Sequence, residues 1–552
     1  MRTRFRLGFV LLLSGMMAAM TAAAQQVPVI PQPVRVETGE GAFVLRDATP
    51  IVTDDANEGT AHLLAQWLAP ATGYRLRVRK QDAPLRNAPR ENALDNAIVL
   101  ALDASLAHLG GEGYALEVTP QRVVIRGAQP AGVFYGVQTL RQLLPPQILA
   151  SIAQRDVVWQ IPAVKIEDTP RFPWRGAMMD SARHFMPKWF VLKFIDLLAL
   201  YKMNTFHWHL TDDQGWRIEI KKYPRLTEVG AWRSETRIGH EGHRRGFDKI
   251  PHGGFYTQDD VREIVAYAGE RFITIVPEIE MPGHAQAAIA AYPELGNTGE
   301  KLEVWTQWGV NRNIFNPSDK TIRFLQDVLD EVIELFPGTF IHIGGDEAAK
   351  DQWKASPDVQ ARIRELGLKD EAELQSWFIR QMEQHLRRKG RRLVGWDEIL
   401  EGGLPPGATV MSWRGMEGGI AAAKSGHDVV MAPTSHTYLD YYQSQERGEP
   451  LAIGGFLPLE KVYEFDPIPP ELTADEAQHI LGGQCQLWAE YLKGPGYVEY
   501  MAFPRLLAVA ESVWTPAERK DLADFLRRVA ANQPRLTQWN VNFRPLTLPS
   551  AR

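Results

Sequence analysis

Cysteine is almost absent. Cys485 is the only one in 552 residues, which excludes a disulfide framework, a thiolate metal cluster and an acylated cysteine behind a leader. A lone cysteine in an apolar segment reads as a small core residue. Long apolar runs are scarce as well. The one at the start, about Leu7 to Met20, is short, broken by Ser14 and Gly15, preceded by Arg2, Arg4 and Arg6, and followed by Ala22-Ala23-Ala24. It reads as a secretory signal peptide over residues 1–24, cleaved near Ala24, and no second run suits a permanent membrane span. A periplasmic or secreted protein is the expectation. Blocks of like charge are also missing, and the formal net charge of -6 becomes more negative once the leader arginines are removed. Such a surface favours neither nucleic acid nor anionic lipid.

The length predicts two domains. Over residues 25–167 short strands and helices mix: Phe43 to Leu45, Ile98 to Leu102, Tyr114 to Val118 and Val123 to Ile125 read as strands. The last two form a hairpin around Thr119-Pro120-Gln121, and Val133 to Leu144 has the spacing of a helix covering one sheet face. This is a small α+β domain with little chemistry; of sixteen tryptophans only Trp67 and Trp159 fall in it. The proline-marked segment Asp168 to Pro173 ends it.

Over residues 168–552 apolar runs alternate with helices. Candidate strands are Gly176 to Met179, Thr205 to Leu210, Ile273 to Pro277, Phe340 to Ile343, Arg392 to Gly395, Thr409 to Ser412, Val429 to Ala432 and Gly483 to Leu487. Helices are expected at Trp189 to Tyr201, after the Thr257 cap, at Lys320 to Phe336 and at Glu373 to Arg388, and a last one from Thr515-Pro516 to about Ala531. The alternation predicts the α/β class and a (β/α)8 TIM barrel. A doubly wound sheet is the alternative, but Asp180-Ser181-Ala182-Arg183 stands where its glycine-rich loop would follow the first strand.

The strand ends carry the chemistry. His342-Ile343-Gly344-Gly345-Asp346-Glu347 runs from a strand into two glycines and two adjacent carboxylates; glycines permit a sharp turn, and neighbouring acids disfavour ionising together. Other runs finish in Asp180, Asp212-Asp213, Glu278, Trp396-Asp397-Glu398, Trp413, Tyr438-Leu439-Asp440 and Trp488-Ala489-Glu490. In a barrel these converge on the C-terminal rim. Acids bind hydroxyls and indole faces pack on C–H surfaces, so the rim reads as a sugar pocket. A competing reading is a metal-dependent hydrolase: His207-Trp208-His209 sets two imidazoles on one strand face, and Asp212, His284 and His342 could add ligands. Against it, the later strand ends offer tryptophans and acids. No metal and no cofactor is expected.

The motifs resemble those of the family 20 glycoside hydrolases, the exo-acting β-N-acetylhexosaminidases. Matching stretches, in family order, are Trp174-Arg175-Gly176 through Asp180-Ser181-Ala182-Arg183-His184-Phe185, Met203 to Trp216, Pro277 to His284, His342 to Glu347, Gly395 to Glu398, Tyr438 to Asp440 and Leu487 to Glu490. The resemblance implies Glu347 as general acid and base, and Asp346 as the group that bonds the substrate's acetamide N–H and stabilises its positive charge. It implies that Trp396, Trp413 and Trp488 wall the acetamido pocket, and that the Tyr438 hydroxyl bonds the acetamide carbonyl. Arg175, Asp440 and Glu490 would bind the ring hydroxyls. Asp212 and His284 would support the acid site, and His342 is at least as well read as a core histidine. The implied partner is an oligosaccharide or glycan ending in β-N-acetylhexosamine; chitin fragments, N-glycans and cell-wall sugars all qualify.

Overall fold

A computed structural model describes residues 27–80, 95–240 and 245–546; the expected signal peptide, residues 1–24, lies outside them. In the first domain β1 (Arg35–Val44), β2 (Ile51–Thr53), β3 (Val78–Lys80), β4 (Ala97–Leu102), β5 (Tyr114–Val118), β6 (Arg122–Gly127) and β7 (Gln160–Asp168) form one sheet, ordered β1-β7-β5-β6-β4-β2-β3. The β5–β6 hairpin pairs in register from Val118 and Val123 to Tyr114 and Gly127. Helices α1 (Glu58–Thr72) and α2 (Pro130–Leu143) complete the domain. The sequence pattern did not mark α1, β2, β3 or β7. Every residue of α2 from Gly132 onward is buried, because the helix is covered on two sides. One side packs on the sheet; on the other, Phe134 meets Phe272 and the Gln142 amide donates to Leu200 O at 3.0 Å, both in the second domain.

The second domain is a closed barrel of eight parallel strands: Trp174–Asp180, Thr205–His209, Thr274–Glu278, Phe340–His342, Arg392–Trp396, Thr409–Ser412, Val429–Met431 and Ile480–Cys485, the last pairing with the first. Nearly all their residues are buried, as suits strands covered on both faces. Each lies within a few residues of its expected position; the eighth starts at Ile480 and ends earlier than the pattern suggests. The interior is filled by alternate residues, Val276, Val394, Trp396, Met411 and Val430 among them. Amphipathic helices Lys188–Leu200, Gln258–Gly269, Asp319–Leu335 and Glu371–Arg388 pack outside. Thr257 and Asp260 cap the second of these reciprocally, as the Thr-x-x-Asp spacing predicts. The last helix departs from expectation: Thr515-Pro516 leads only into a short turn, and the helix runs Leu522–Gln538 behind an Asp521 cap. Its Arg535 reaches Leu144 O in the first domain at 2.6 Å. Cys485 is buried, and burial pushes its thiol up to about 12, as a core cysteine should behave.

The domains are joined by a buried polar hub. Asp168, at the end of β7, accepts from Lys202 Nζ (2.9 Å), the Tyr114 hydroxyl (2.8 Å), the Trp514 indole (3.0 Å) and the Val34 amide (3.0 Å). Asp168 and Lys202 are both fully buried. Removing one partner leaves the other charged group uncompensated. Asp168→Ala is therefore expected to destabilise the protein by about 3–5 kcal/mol, and a denaturant midpoint equal to that of the unaltered protein would refute it.

Candidate active site

The acid motif sits where the fourth barrel strand ends. Gly344 and Gly345 adopt φ of 66° and 94°, and Glu347 itself has φ 43°. A Cβ on Gly344 would stand 1.6 Å from the Glu280 carboxylate, so only glycine permits the turn. A non-glycine residue at positive φ costs about 1–3 kcal/mol and persists where surrounding structure enforces it. The result aims Asp346, with a side chain 10% exposed, and Glu347, 35% exposed, at one cavity.

That cavity holds about 570 Å³. It is lined by Asp346, Glu347, Trp396, Trp413, Tyr438, Asp440, Trp488 and Glu490, all expected from the motifs. Trp413 stacks near Tyr438 (centroids 6.2 Å, 24°), and Trp396 packs on Trp488 (5.7 Å). Arg175 is a correction. It is the second residue of the first strand, at the entry end of the barrel, where its guanidinium bonds Glu112 at 2.7 and 2.8 Å and the Tyr135 hydroxyl at 3.1 Å. The cavity instead receives Arg183, from the loop beyond that strand. Asp180 fixes this loop by accepting from the Ala182 and Arg183 amides (2.8 and 3.0 Å), and its other oxygen takes the Ala489 amide beside Glu490 (3.0 Å). Sequence reasoning also missed the loop residues Gln214, Trp308, Val310, Tyr441, Ile453 and Tyr491, which complete the wall.

The pocket is rich in acceptors. Both Asp440 oxygens, Glu490 Oε2 and Asp346 Oδ1 are buried and have no protein partner among the described residues. Burial, then Glu490, pushes Asp440 well above the carboxylate range; burial raises Glu490 too, although Arg183 opposes it. Hydroxyl donors would satisfy these oxygens, which is what a sugar supplies.

Behind the acids, His284 Nε2 lies 3.5 Å from Glu347 and 3.6 Å from Asp346, and its Nδ1 lies 3.3 Å from Asp212. Burial opposes charge on His284, but Asp212 and Asp346 outweigh it and hold its pKa well above the usual value. Asp212 also pairs with Arg183 at 2.8 Å. His342 does not face the cavity; with His207 and His209 it contacts the Glu278 carboxylate inside the barrel, at 2.9, 3.0 and 2.5 Å. His207, Glu278 and His342 have the composition of a three-ligand metal site. Of the three imidazoles only His209 hydrogen-bonds Glu278; His207 and His342 stand at ion-pair distance, His342 Nδ1 accepting the Gly344 amide at 3.1 Å, and the carboxylate also takes the Trp396 indole N–H at 2.8 Å.

Glu398 accepts from the Trp413 indole at 2.9 Å. Burial, then the charge of Asp346, pushes its pKa from 4.5 up to about 8. The folded protein therefore keeps a proton that the unfolded chain releases, and the associated stability is full below about pH 4.5 and is lost as pH rises through about 8. Glu398→Gln is expected to remove this part of the decline. Melting curves of the two proteins that fall in parallel between those pH values would contradict it.

An acid pair and indole walls at the rim of a (β/α)8 barrel define a glycosidase, and comparison narrows the class. Residues 172–517 match the catalytic-domain model of glycosyl hydrolase family 20, and residues 26–169 match domain 2 of that family. The chain is 47% identical over 544 residues to a β-hexosaminidase of Porphyromonas gingivalis, covering 96% of this chain and 67% of that one. To a β-hexosaminidase of Vibrio furnissii it is 37% identical, covering 89% and 77%. Among solved structures it is similar to a family 20 β-N-acetylhexosaminidase from Streptomyces coelicolor A3(2), with TM-score 0.80 and 34% identity over 94% of this chain and 97% of that one. A variant of the Streptomyces plicatus β-hexosaminidase in complex with its product, GlcNAc, gives the same TM-score and identity over 94% and 96%. The chain belongs to glycosyl hydrolase family 20. It is an enzyme, a glycoside hydrolase of the β-hexosaminidase kind.

Proposed function

We propose that the enzyme is an exo-acting, retaining β-N-acetylhexosaminidase that removes terminal non-reducing N-acetylglucosamine or N-acetylgalactosamine by substrate-assisted catalysis. The adjacency of Asp346 and Glu347 in one aromatic-walled cavity carries this reading. A retaining enzyme with its own nucleophile needs two carboxyl groups about 5–5.5 Å apart across the scissile bond. Neighbours on one turn suit a different division of work. Glu347 protonates the glycosidic oxygen as the C1–O bond breaks. The 2-acetamido oxygen attacks C1 and closes an oxazolinium ring, so the substrate supplies the nucleophile. Asp346 accepts the acetamide N–H and stabilises the positive charge, while the Tyr438 hydroxyl donates to the acetamide oxygen and aims it. Such near-attack positioning is worth several kcal/mol. Water then attacks C1, gives its proton to Glu347 and opens the ring, so the anomeric configuration is retained.

Arg183, Asp440 and Glu490 close the pocket around the sugar's far hydroxyls, which supports exo cleavage. The natural substrate is an oligosaccharide or glycan ending in β-N-acetylhexosamine, met in the periplasm or outside the cell as the leader suggests. Among the described residues no helix is long and apolar enough to cross a membrane. An aryl N-acetyl-β-glucosaminide is expected to be hydrolysed and the matching plain β-glucoside almost not at all. Equal rates on the two would overturn the acetamide mechanism.

A further inference from the structure

Glu278 ends the third barrel strand, is fully buried, and touches both halves of the pocket without lining it. Its Oε2 lies 2.5 Å from His209 Nδ1, His209 Nε2 lies 3.0 Å from Asp212 Oδ2, Asp212 Oδ1 lies 3.3 Å from His284 Nδ1, and His284 Nε2 lies 3.5 Å from Glu347. Its Oε1 accepts the Trp396 indole N–H at 2.8 Å. Resting on the function proposed above, we propose that Glu278 and His209 are positioning residues: they hold the general acid, through Asp212 and His284, in fixed relation to the tryptophan that walls the acetamido pocket.

The packing and electrostatics of the line support this. The chain alternates carboxylate and imidazole, hydrogen-bonded from Glu278 through His209 to Asp212 and in ion-pair contact at 3.3 and 3.5 Å on the two sides of His284, so each member orients the next, as outer partners of catalytic groups do. Every member up to Glu347 is buried, where such contacts are strongest and a missing partner is most costly. Burial disfavours charge on His209, but Glu278 and Asp212 on its two nitrogens push it up to about 10. His207, although 3.0 Å from the same Glu278 oxygen, leads away from the acid: its Nδ1 accepts from the Gln484 amide at 2.8 Å, and burial lowers it to about 4. Asp212 Oδ2 is held jointly by Arg183 at 2.8 Å and His209 at 3.0 Å, which leaves Oδ1 turned toward His284.

A merely structural histidine cluster would affect all substrates alike. A device that aims a proton donor matters only when the leaving group needs the proton. The test compares kcat/KM on 4-methoxyphenyl and 2,4-dinitrophenyl N-acetyl-β-glucosaminides. His209→Asn is expected to lose about 100-fold on the first and less than about fivefold on the second, since general acid catalysis contributes about 10²–10⁴-fold, with KM little changed. His209→Gln, which can still reach Asp212, is expected to recover part of the loss. Glu278→Gln keeps an acceptor for Trp396 without the charge and is expected to show the same split. Equal losses on both substrates, or no loss on either, in His209→Asn protein that melts as the unaltered enzyme does would overturn the proposal. Unaltered enzyme inactive on both substrates would instead refute the glycosidase reading on which it rests.

Discussion

Glu347→Gln is expected to lower kcat/KM for an N-acetylhexosaminide with a sugar leaving group by about 10³-fold, within the 10²–10⁴-fold range of general acid–base catalysis. That is about 4 kcal/mol of transition-state stabilisation. Gln is close to Glu in shape and cannot give up a proton, so the change removes the chemistry and leaves the fold. The backbone at this position has φ 43°, which burdens Gln no more than Glu, and the neighbouring His284 keeps its partners Asp212 and Asp346. The loss is expected to shrink for an aryl leaving group that departs without a proton. Undiminished turnover of the sugar-leaving substrate, measured by released N-acetylhexosamine, would remove Glu347 from its role.

The barrel was legible because buried parallel strands are short apolar runs bounded by polar residues, and all eight carry that mark. In the first domain β7 went unread: its burial alternates through Ile161 and Ala163, then changes phase at Val164 and continues through Ile166 and Asp168, so no single alternation marks the strand, and Pro162 obscures it further. The acid pair, the tryptophans, Tyr438, Asp440 and Glu490 were legible because each stands at or just past a strand end. The same rule explains the error at Arg175. A residue second in a seven-residue strand lies at the far end of the barrel from a C-terminal site, whereas Arg183, three residues beyond Asp180, lies on the rim. Trp308, Val310, Ile453 and Tyr491 come from loops without periodicity, and nothing local marks a loop residue as facing a cavity. Glu278 and His209 were visible as strand-end residues, yet the line they form to Glu347 depends on strand neighbours that only the register of the second and third barrel strands supplies.

Asp346→Asn is expected to cost about 10²–10³-fold in kcat, the usual loss when one fixed electrostatic partner of a developing charge is removed. The argument rests on where charge appears. As the acetamide oxygen bonds to C1, positive charge spreads onto the amide nitrogen, whose hydrogen Asp346 accepts. A carboxylate in a site this buried is worth far more there than in water. Asn retains an acceptor oxygen for that hydrogen, so substrate binding should change little and KM should stay within a few-fold, while the charged transition state loses its counterion. The loss should therefore persist for a 2,4-dinitrophenyl leaving group, which needs no proton from Glu347 but still requires the acetamide to attack. That contrast separates the adjacent acids: one variant is sensitive to the leaving group and the other is not. Recovery of Asp346→Asn on the activated substrate to the rate of the unaltered enzyme would show that Asp346 only supports proton transfer, and the substrate-assisted division of labour would fall with it.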